Sequence, residues 1–158
     1  MIIMIFNDFA HSQQPALEVF NACLDTVYDT NDLNTEHIHR ISPDAKLVYL
    51  LWGFDSQVFN GGFWYVFGTS LGDHSEDILK FLRSVGAKTS VRLLEKALSR
   101  FPDSKPAKDY DQRQKQLEHI DSDDFIDLDD KYYQDQDQMI ELLHQYVRSH
   151  TESCVTSH

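Results

Sequence analysis

Apolar residues recur along most of this chain at three- and four-residue steps, the spacing of one face of an α-helix. Leu17, Phe20, Leu24, Val27 and Tyr28 mark out a first helix. Pro15 suits its first turn, where a backbone N–H has no helical partner anyway, and the pattern stops near Thr30-Asn31-Asp32. The stretch to Arg40 is polar and reads as a loop or one short helix. A second helix has a clear start: Ser42 as N-cap, Pro43 at the first helical position and Asp44 at the positive helix end. From Ala45 to Phe59 it is apolar almost all round, which marks a central, buried helix. Asn60-Gly61-Gly62 predicts its C-cap and a turn, because glycine and asparagine accept positive φ. A short aromatic helix, Phe63 to Phe67, follows and ends at Gly68 to Gly72.

Ser75-Glu76-Asp77 opens another helix through Val85, with Ile78, Leu79, Phe81 and Leu82 inward and Gly86 as terminator. Lys88 to Phe101 carries Val91, Leu94 and Leu98 at helical steps, and Pro102 ends it. Residues 103 to 112 read as a loop, and Arg113 to Ile120 as a short helix. A last helix, Asp137 to Ser149, places Met139, Ile140, Leu143, Tyr146 and Val147 on one face. The polar tail after it is expected to fray. Apart from a weak possibility at the N-terminus, alternating patterns are missing, and no repeat recurs at a fixed period. The expected class is therefore all-α: one helical domain, residues 1 to 150, of about seven or eight helices, and a polar tail, residues 151 to 158.

Composition supports a packed domain. Of 158 residues, 41% are apolar and 12% aromatic. Met1 to Phe6, MIIMIF, is far shorter than the ~20 residues that span a bilayer and has no preceding cation, so neither a membrane span nor a signal peptide is expected. Ile2, Ile3, Ile5 and Phe6 are expected to pack on the core or on a second subunit. Cys23 and Cys154 are too few for a disulfide framework and point to a reducing cytoplasm, with Cys23 buried and inert.

Charge changes the picture more. With 26 acidic residues against 14 Lys and Arg, the net charge is −12. That balance argues against direct binding to nucleic acid or an anionic membrane and for a basic partner. The excess is concentrated. Asp121, Asp123, Asp124, Asp127, Asp129, Asp130, Asp135 and Asp137 face only Lys131, a net −7 over 17 residues. On a helix rising ~1.5 Å per residue this is one charge per ~3.6 Å, against one per ~3.4 Å along a DNA strand. Phe125, Ile126, Leu128, Tyr132 and Tyr133 are interleaved and can pin the carboxylates to a fixed surface. Asp25, Asp29, Asp32 and Glu36 form a smaller second group.

Other chemistries fit less well. Calcium loops of the EF-hand type need a glycine at position six and a glutamate at twelve. Counting from Asp121, these positions hold Ile126 and Tyr132, and the register from Asp127 fails similarly. His37 and His39 lack the spacing and companions of a zinc site. No phosphate loop or nucleophile elbow occurs. Asp73 beside His74 reads as local polar contacts at a helix start. The aromatic group Phe59, Phe63, Trp64, Tyr65 and Phe67 reads as core ahead of ligand pocket or subunit interface. Neither catalytic residues nor a cofactor or metal are expected.

Three stretches carry a family resemblance: YLLWGFDSQVFNGGFWYVFGTSLGDHSEDILKFLRSVGAKTS (Tyr49 to Ser90), LLEKALSRFP (Leu93 to Pro102) and LDDKYYQDQDQMIELLHQYVRSH (Leu128 to His150). They resemble a bacterial family of acidic, all-helical domains that includes a DNA-mimic protein. The Asn-Gly-Gly-Phe turn at Asn60 to Phe63 and the Gly86-Ala87 step are its most specific pieces; Phe59 departs from the small or amide residue expected before the turn. The resemblance implies a helical fold, a homodimer and no catalytic residues. For the DNA-mimic member it implies binding to a helix-turn-helix transcription regulator, which then cannot hold its operator. The expected function is thus a cytoplasmic DNA mimic, with Asp121, Asp123, Asp124, Asp127, Asp129 and Asp130 standing for phosphates and Asp25, Asp29 and Asp32 as a second ridge. The alternatives are an immunity or antitoxin-type inhibitor of a basic nuclease or toxin, which uses the same electrostatics, and an enzyme with metal held by the aspartates.

Overall fold

A computed structural model describes residues 3–27, 35, 37–134 and 138–157 of the protein. Among them are seven α-helices and no strand: α1 (Pro15–Val27), α2 (Pro43–Phe67), α3 (Ser75–Val85), α4 (Lys88–Leu98), α5 (Tyr110–Glu118), α6 (Ile126–Gln134) and α7 (Met139–Ser149). The fold class is all-α, as the periodicity predicts. The expected stop of α1 at Thr30-Asn31-Asp32, and Ile2, Tyr28 and Glu36, lie outside the described residues.

The second helix is the axis of the molecule. Ser42 caps it, its Oγ accepting the Ala45 N–H at 3.0 Å, and Pro43 fills the first position. With 25 residues it is about 37 Å long. Its all-round apolar surface is used on every side, by α1, α3, α6 and α7. Val48, Leu50, Leu51, Phe54 and Val58 are fully buried. The glycine turn expected at Asn60-Gly61-Gly62 is present as a sharp kink, where two helical pieces of α2 meet. Gly62 alone leaves helical geometry, at φ 73° and ψ −172°, and the helix resumes at Phe63. That backbone region is essentially open to glycine only.

Gly86 closes α3 in the left-handed conformation, φ 77°, and its N–H returns to the last turn of the helix. The next helix stops at Leu98, short of the expected Phe101, which is buried at the start of a short turn. Helix α5 starts at Tyr110, earlier than expected, because the Asp109 carboxylate caps it by accepting the Gln112 N–H at 2.9 Å.

The polar tail is a correction to the sequence reading: it does not fray. Cys154 pairs with Ile5 and Thr156 with Ile41 in isolated antiparallel bridges. Val155 is fully buried. The Phe6 N–H donates to the Ser153 carbonyl at 2.8 Å and the Ser42 N–H to the Val155 carbonyl at 2.9 Å. Asp44 accepts from the Tyr146 and Ser153 hydroxyls. Burial pushes the Asp44 carboxyl up, but these two bonds and nearby His150 outweigh it and hold the carboxyl below its ordinary value.

Of the N-terminal apolar residues, Phe6 is fully buried, Ile5 is half-buried and Ile3 is exposed. Cys23 is fully buried against the Ala45 carbonyl, and burial pushes its thiol up to about 12, which leaves it inert.

Candidate functional site

The acidic segment is built on a short turn followed by α6. Asp121 starts the turn over Ser122–Phe125, its carboxylate accepting the Asp123 N–H at 3.0 Å. Phe125, Leu128 and Tyr132 then point inward and are buried. The Phe125 ring lies 6.1 Å from that of Trp64 and 5.9 Å from that of Phe67. The Tyr132 hydroxyl donates to buried Asp55 at 2.5 Å, and the Tyr133 hydroxyl donates to the Val58 carbonyl at 2.9 Å. These contacts fix the segment to α2, as the interleaved apolar residues suggest.

The anchors turn Asp121, Asp123, Asp124, Asp127 and Asp130 to solvent. Among the described residues none of these five forms an ion pair. Over a turn rising ~2 Å per residue and a helix rising ~1.5 Å, Asp121 to Asp130 covers about 16 Å, an average of ~4 Å between successive exposed carboxylates.

Asp129 does not belong with them. It is half-buried, and its Oδ1 accepts the Phe63 N–H at 2.9 Å. Gly62 breaks the helix and leaves Phe63 at the head of the resumed turn, where a backbone N–H has no helical acceptor. The Asp129 carboxylate supplies one from 66 residues away. Burial raises its pKa, and the charge of Asp130 adds to this, against the opposing hydrogen bond. The same carboxylate fills the space beside Gly62 that a Cβ would need. A sequence signal for this existed. Phe125, Leu128, Asp129 and Tyr132 stand at i, i+3, i+4 and i+7, the inward stripe of a helix, and the one polar member of such a stripe needs an interior partner.

Asp25 is exposed on α1. That helix packs on α2 and α7 whereas α6 packs on α2 and α4, so Asp25 is backed by a different helix pair. Asp29 and Asp32 lie outside the described residues, as do Asp135 and Asp137.

Sequence reasoning missed Arg113, which is fully buried. Its guanidinium donates to the carbonyls of Phe67, Thr69 and Ala107, each at 2.8 Å, and of Lys108 at 3.1 Å, and lies 2.6 Å from the Asp73 carboxylate. Gly72 leaves room for it, since a side chain there would collide with the guanidinium. Asp73 thus serves Arg113, and burial, then nearby Lys46, lowers the pKa of His74. A cavity of about 670 Å³ beside them is lined by both signs of charge. Lys46 pairs with Asp77 at 2.6 Å and Lys108 approaches Glu76 at 3.8 Å, which leaves the cavity no clear preference for either sign of ligand.

The aromatic group divides. Phe63 and Phe67 are core, while Phe59 and Tyr65 are exposed, with Phe59 set against the rings of Tyr132 and Tyr133. The rings of His37 and His39 are 6.1 Å apart, and no group of three or more metal-ligating side chains forms among the described residues. No helix among them is long and apolar enough to cross a membrane.

Comparison with known proteins adds one finding. A family model described as DMP19-like protein matches residues 39–150, which hold the kinked α2, the α3–α4 hairpin and the acidic segment and leave α1 and the tail outside. No curated protein and no solved structure matches the chain. The matched span is well over half of the sequence, and the chain belongs to the DMP19-like protein family.

Proposed function

We propose that this protein is a DNA mimic without catalytic activity of its own. It binds the basic DNA-binding surface of a helix-turn-helix transcription regulator and keeps that regulator from its operator. The observation that carries this reading is the row of five exposed carboxylates, in no ion pair among the described residues, on a segment held to the central helix by Phe125, Leu128, Tyr132 and Tyr133. Their spacing is close to that of strand phosphates, and a pinned row keeps it when a partner approaches. Family membership supports the same reading. Lysines and arginines that clasp phosphates would meet Asp121, Asp123, Asp124, Asp127 and Asp130 instead, guided by long-range attraction. A homodimer would repeat the row about a two-fold axis and so suit a dimeric regulator on its two half-sites.

A gel-shift competition tests this. Candidate regulators on labelled operator are challenged with the protein and with the Asp121→Asn/Asp123→Asn/Asp124→Asn variant. The protein should displace the operator, the variant should do so poorly, and affinity should fall steeply between about 50 and 300 mM salt. Affinity that stays flat with salt, or a variant as potent as the parent, would rule phosphate imitation out. Protection of DNA from a basic nuclease, without effect on any regulator, would move the reading to an inhibitor of the immunity type.

A further inference from the structure

The positive charge is placed as unevenly as the negative. Residues 80–115 hold ten of the fourteen Lys and Arg but only four acids, a net +6, while the rest of the chain carries −18. Within that basic stretch, where α3 meets α4, lies a groove of about 430 Å³. Leu82, Ala87 and Val91 give it an apolar floor; Arg83, Lys88 and Arg92 are exposed on its rim. Arg83 is held by Glu95 at 2.5 Å. Lys88 and Arg92 have no acidic partner among the described residues. Lys88 is also the first residue of α4, whose opening turn contains no acid. A cation there is disfavoured by the positive end of its own helix. Lys88 and Arg92 therefore present positive charge with no ion-pair partner among the described residues beside an apolar floor.

The acidic segment has the same pattern with the sign reversed. Ile126 is 48% exposed at the start of α6, and the exposed Asp123, Asp127 and Asp130 stand three before, one after and four after it. An apolar knob ringed by carboxylates matches an apolar groove ringed by cations in chemistry and in scale, since a groove of this volume has room for one branched aliphatic side chain and its neighbours. We propose that the Ile126 knob of one copy docks into the α3–α4 groove of a second copy, head to tail. Such a contact covers the carboxylates of one copy with the basic rim of the next. It leaves a free knob on one molecule and a free groove on the other, so it adds to a two-fold pairing and does not replace it. The consequence for function rests on the DNA-mimic reading: the chain sheathes its own acidic row, and a regulator must compete for it. The contact is small, so the dissociation constant is expected on the order of 100 μM. Net charges of −12 repel at long range, so association should be strongest near 0.15 M salt, where a Debye length of about 8 Å screens that repulsion but spares close pairs.

Sedimentation of the protein alone tests the contact without any regulator. The average mass should rise with concentration. Arg92→Glu and Asp127→Arg should each weaken association about tenfold or more alone, because each sets like charges against one another. An equimolar mixture of the two variants should restore it, because each then meets an opposite charge on the other. Both positions are exposed, and unchanged thermal melts would confirm that the variants fold. A mass that never rises with concentration, single variants that associate like the parent, or a mixture that fails to recover would each overturn the proposal. The gel-shift result can stand while this one fails, and the reverse, so the two ideas fail separately.

Discussion

Replacing Asp129 separates a structural carboxylate from a phosphate-like one. Its Oδ1 is the acceptor for the Phe63 N–H at the Gly62 kink, in a region where Gly62 and Phe63 are both buried. Asp129→Ala removes the cap and strands that donor. Loss of an N-cap costs about 1 kcal/mol, and a buried donor without a partner about 1–3 kcal/mol. These describe the same bond, so about 2 kcal/mol is the expected loss. For a chain of this size each kcal/mol shifts the melting temperature by roughly 2–4 °C, so the variant should melt about 4–8 °C lower. Asp129→Asn keeps an acceptor oxygen and discards a charge that burial and Asp130 both disfavour, so it should stay within about 0.5 kcal/mol of the parent. Gly62→Ala should be worse than either, by about 3 kcal/mol. It forces a side chain into a backbone region that only glycine enjoys, and its Cβ meets the Asp129 carboxylate. Combining it with Asp129→Ala should be less harmful than the sum, since the collision disappears. The assay is thermal or urea unfolding followed by far-UV circular dichroism. An Asp129→Ala variant that melts with the parent, or Asn and Ala variants that lose the same amount, would refute the cap. In the gel-shift competition Asp129→Asn should keep its potency while Asp127→Asn loses some.

Arg113→Lys should destabilise the protein by about 3 kcal/mol or more, because an ammonium cannot reach the carbonyls of Phe67, Thr69 and Ala107 together while facing Asp73; a loss under about 1 kcal/mol in urea would contradict that account. Burial holds the Asp55 carboxyl above its ordinary value despite the Tyr132 hydrogen bond, so the folded chain takes up that proton more readily than the unfolded one, and this group favours folding more as pH falls through the interval between the two values. Asp55→Asn should therefore match or exceed the parent at neutral pH and lose that advantage as pH falls from the raised value to the ordinary carboxylate value, whereas a stability difference that does not vary with pH would show that Asp55 carries no such penalty.

Where local rules suffice, the sequence and the structure agree. Ser42 and Pro43 start α2, Gly86 ends α3, and Phe125, Leu128 and Tyr132 anchor the acidic segment, because capping, positive φ and helical period are properties of neighbouring residues. Departures come where partners lie far apart in the chain. Asp129 looks like one more surface acid until the kink at Gly62 exposes a donor that needs it. Arg113 looks like a surface cation until the carbonyls around Gly72 close over it. The tail looks frayed because its one buried apolar side chain, Val155, says little by itself, and its hydrogen bonds go to Met4, Phe6 and Ser42. Helix α5 is present as expected but begins three residues before Arg113, where Asp109 caps it. The charge density of the acidic segment was legible, but the direction of each carboxylate depended on the packing of α6 against α2.

Closure of the chain between Ile5 and Cys154 bears on how the protein comes off the ribosome. The first helix packs on α2 and on α7, and the turn that holds Phe6 packs on α7, with the Phe6 N–H bonded to the Ser153 carbonyl. At the ~5–20 residues per second of synthesis, the opening segment waits roughly 7 to 30 seconds for its mate. During that interval Phe6 and one side of α1 are bare apolar surface. A chain stalled before residue 150 would carry a nearly finished helical body with an open seam, which is the species a chaperone or a protease would be expected to find first.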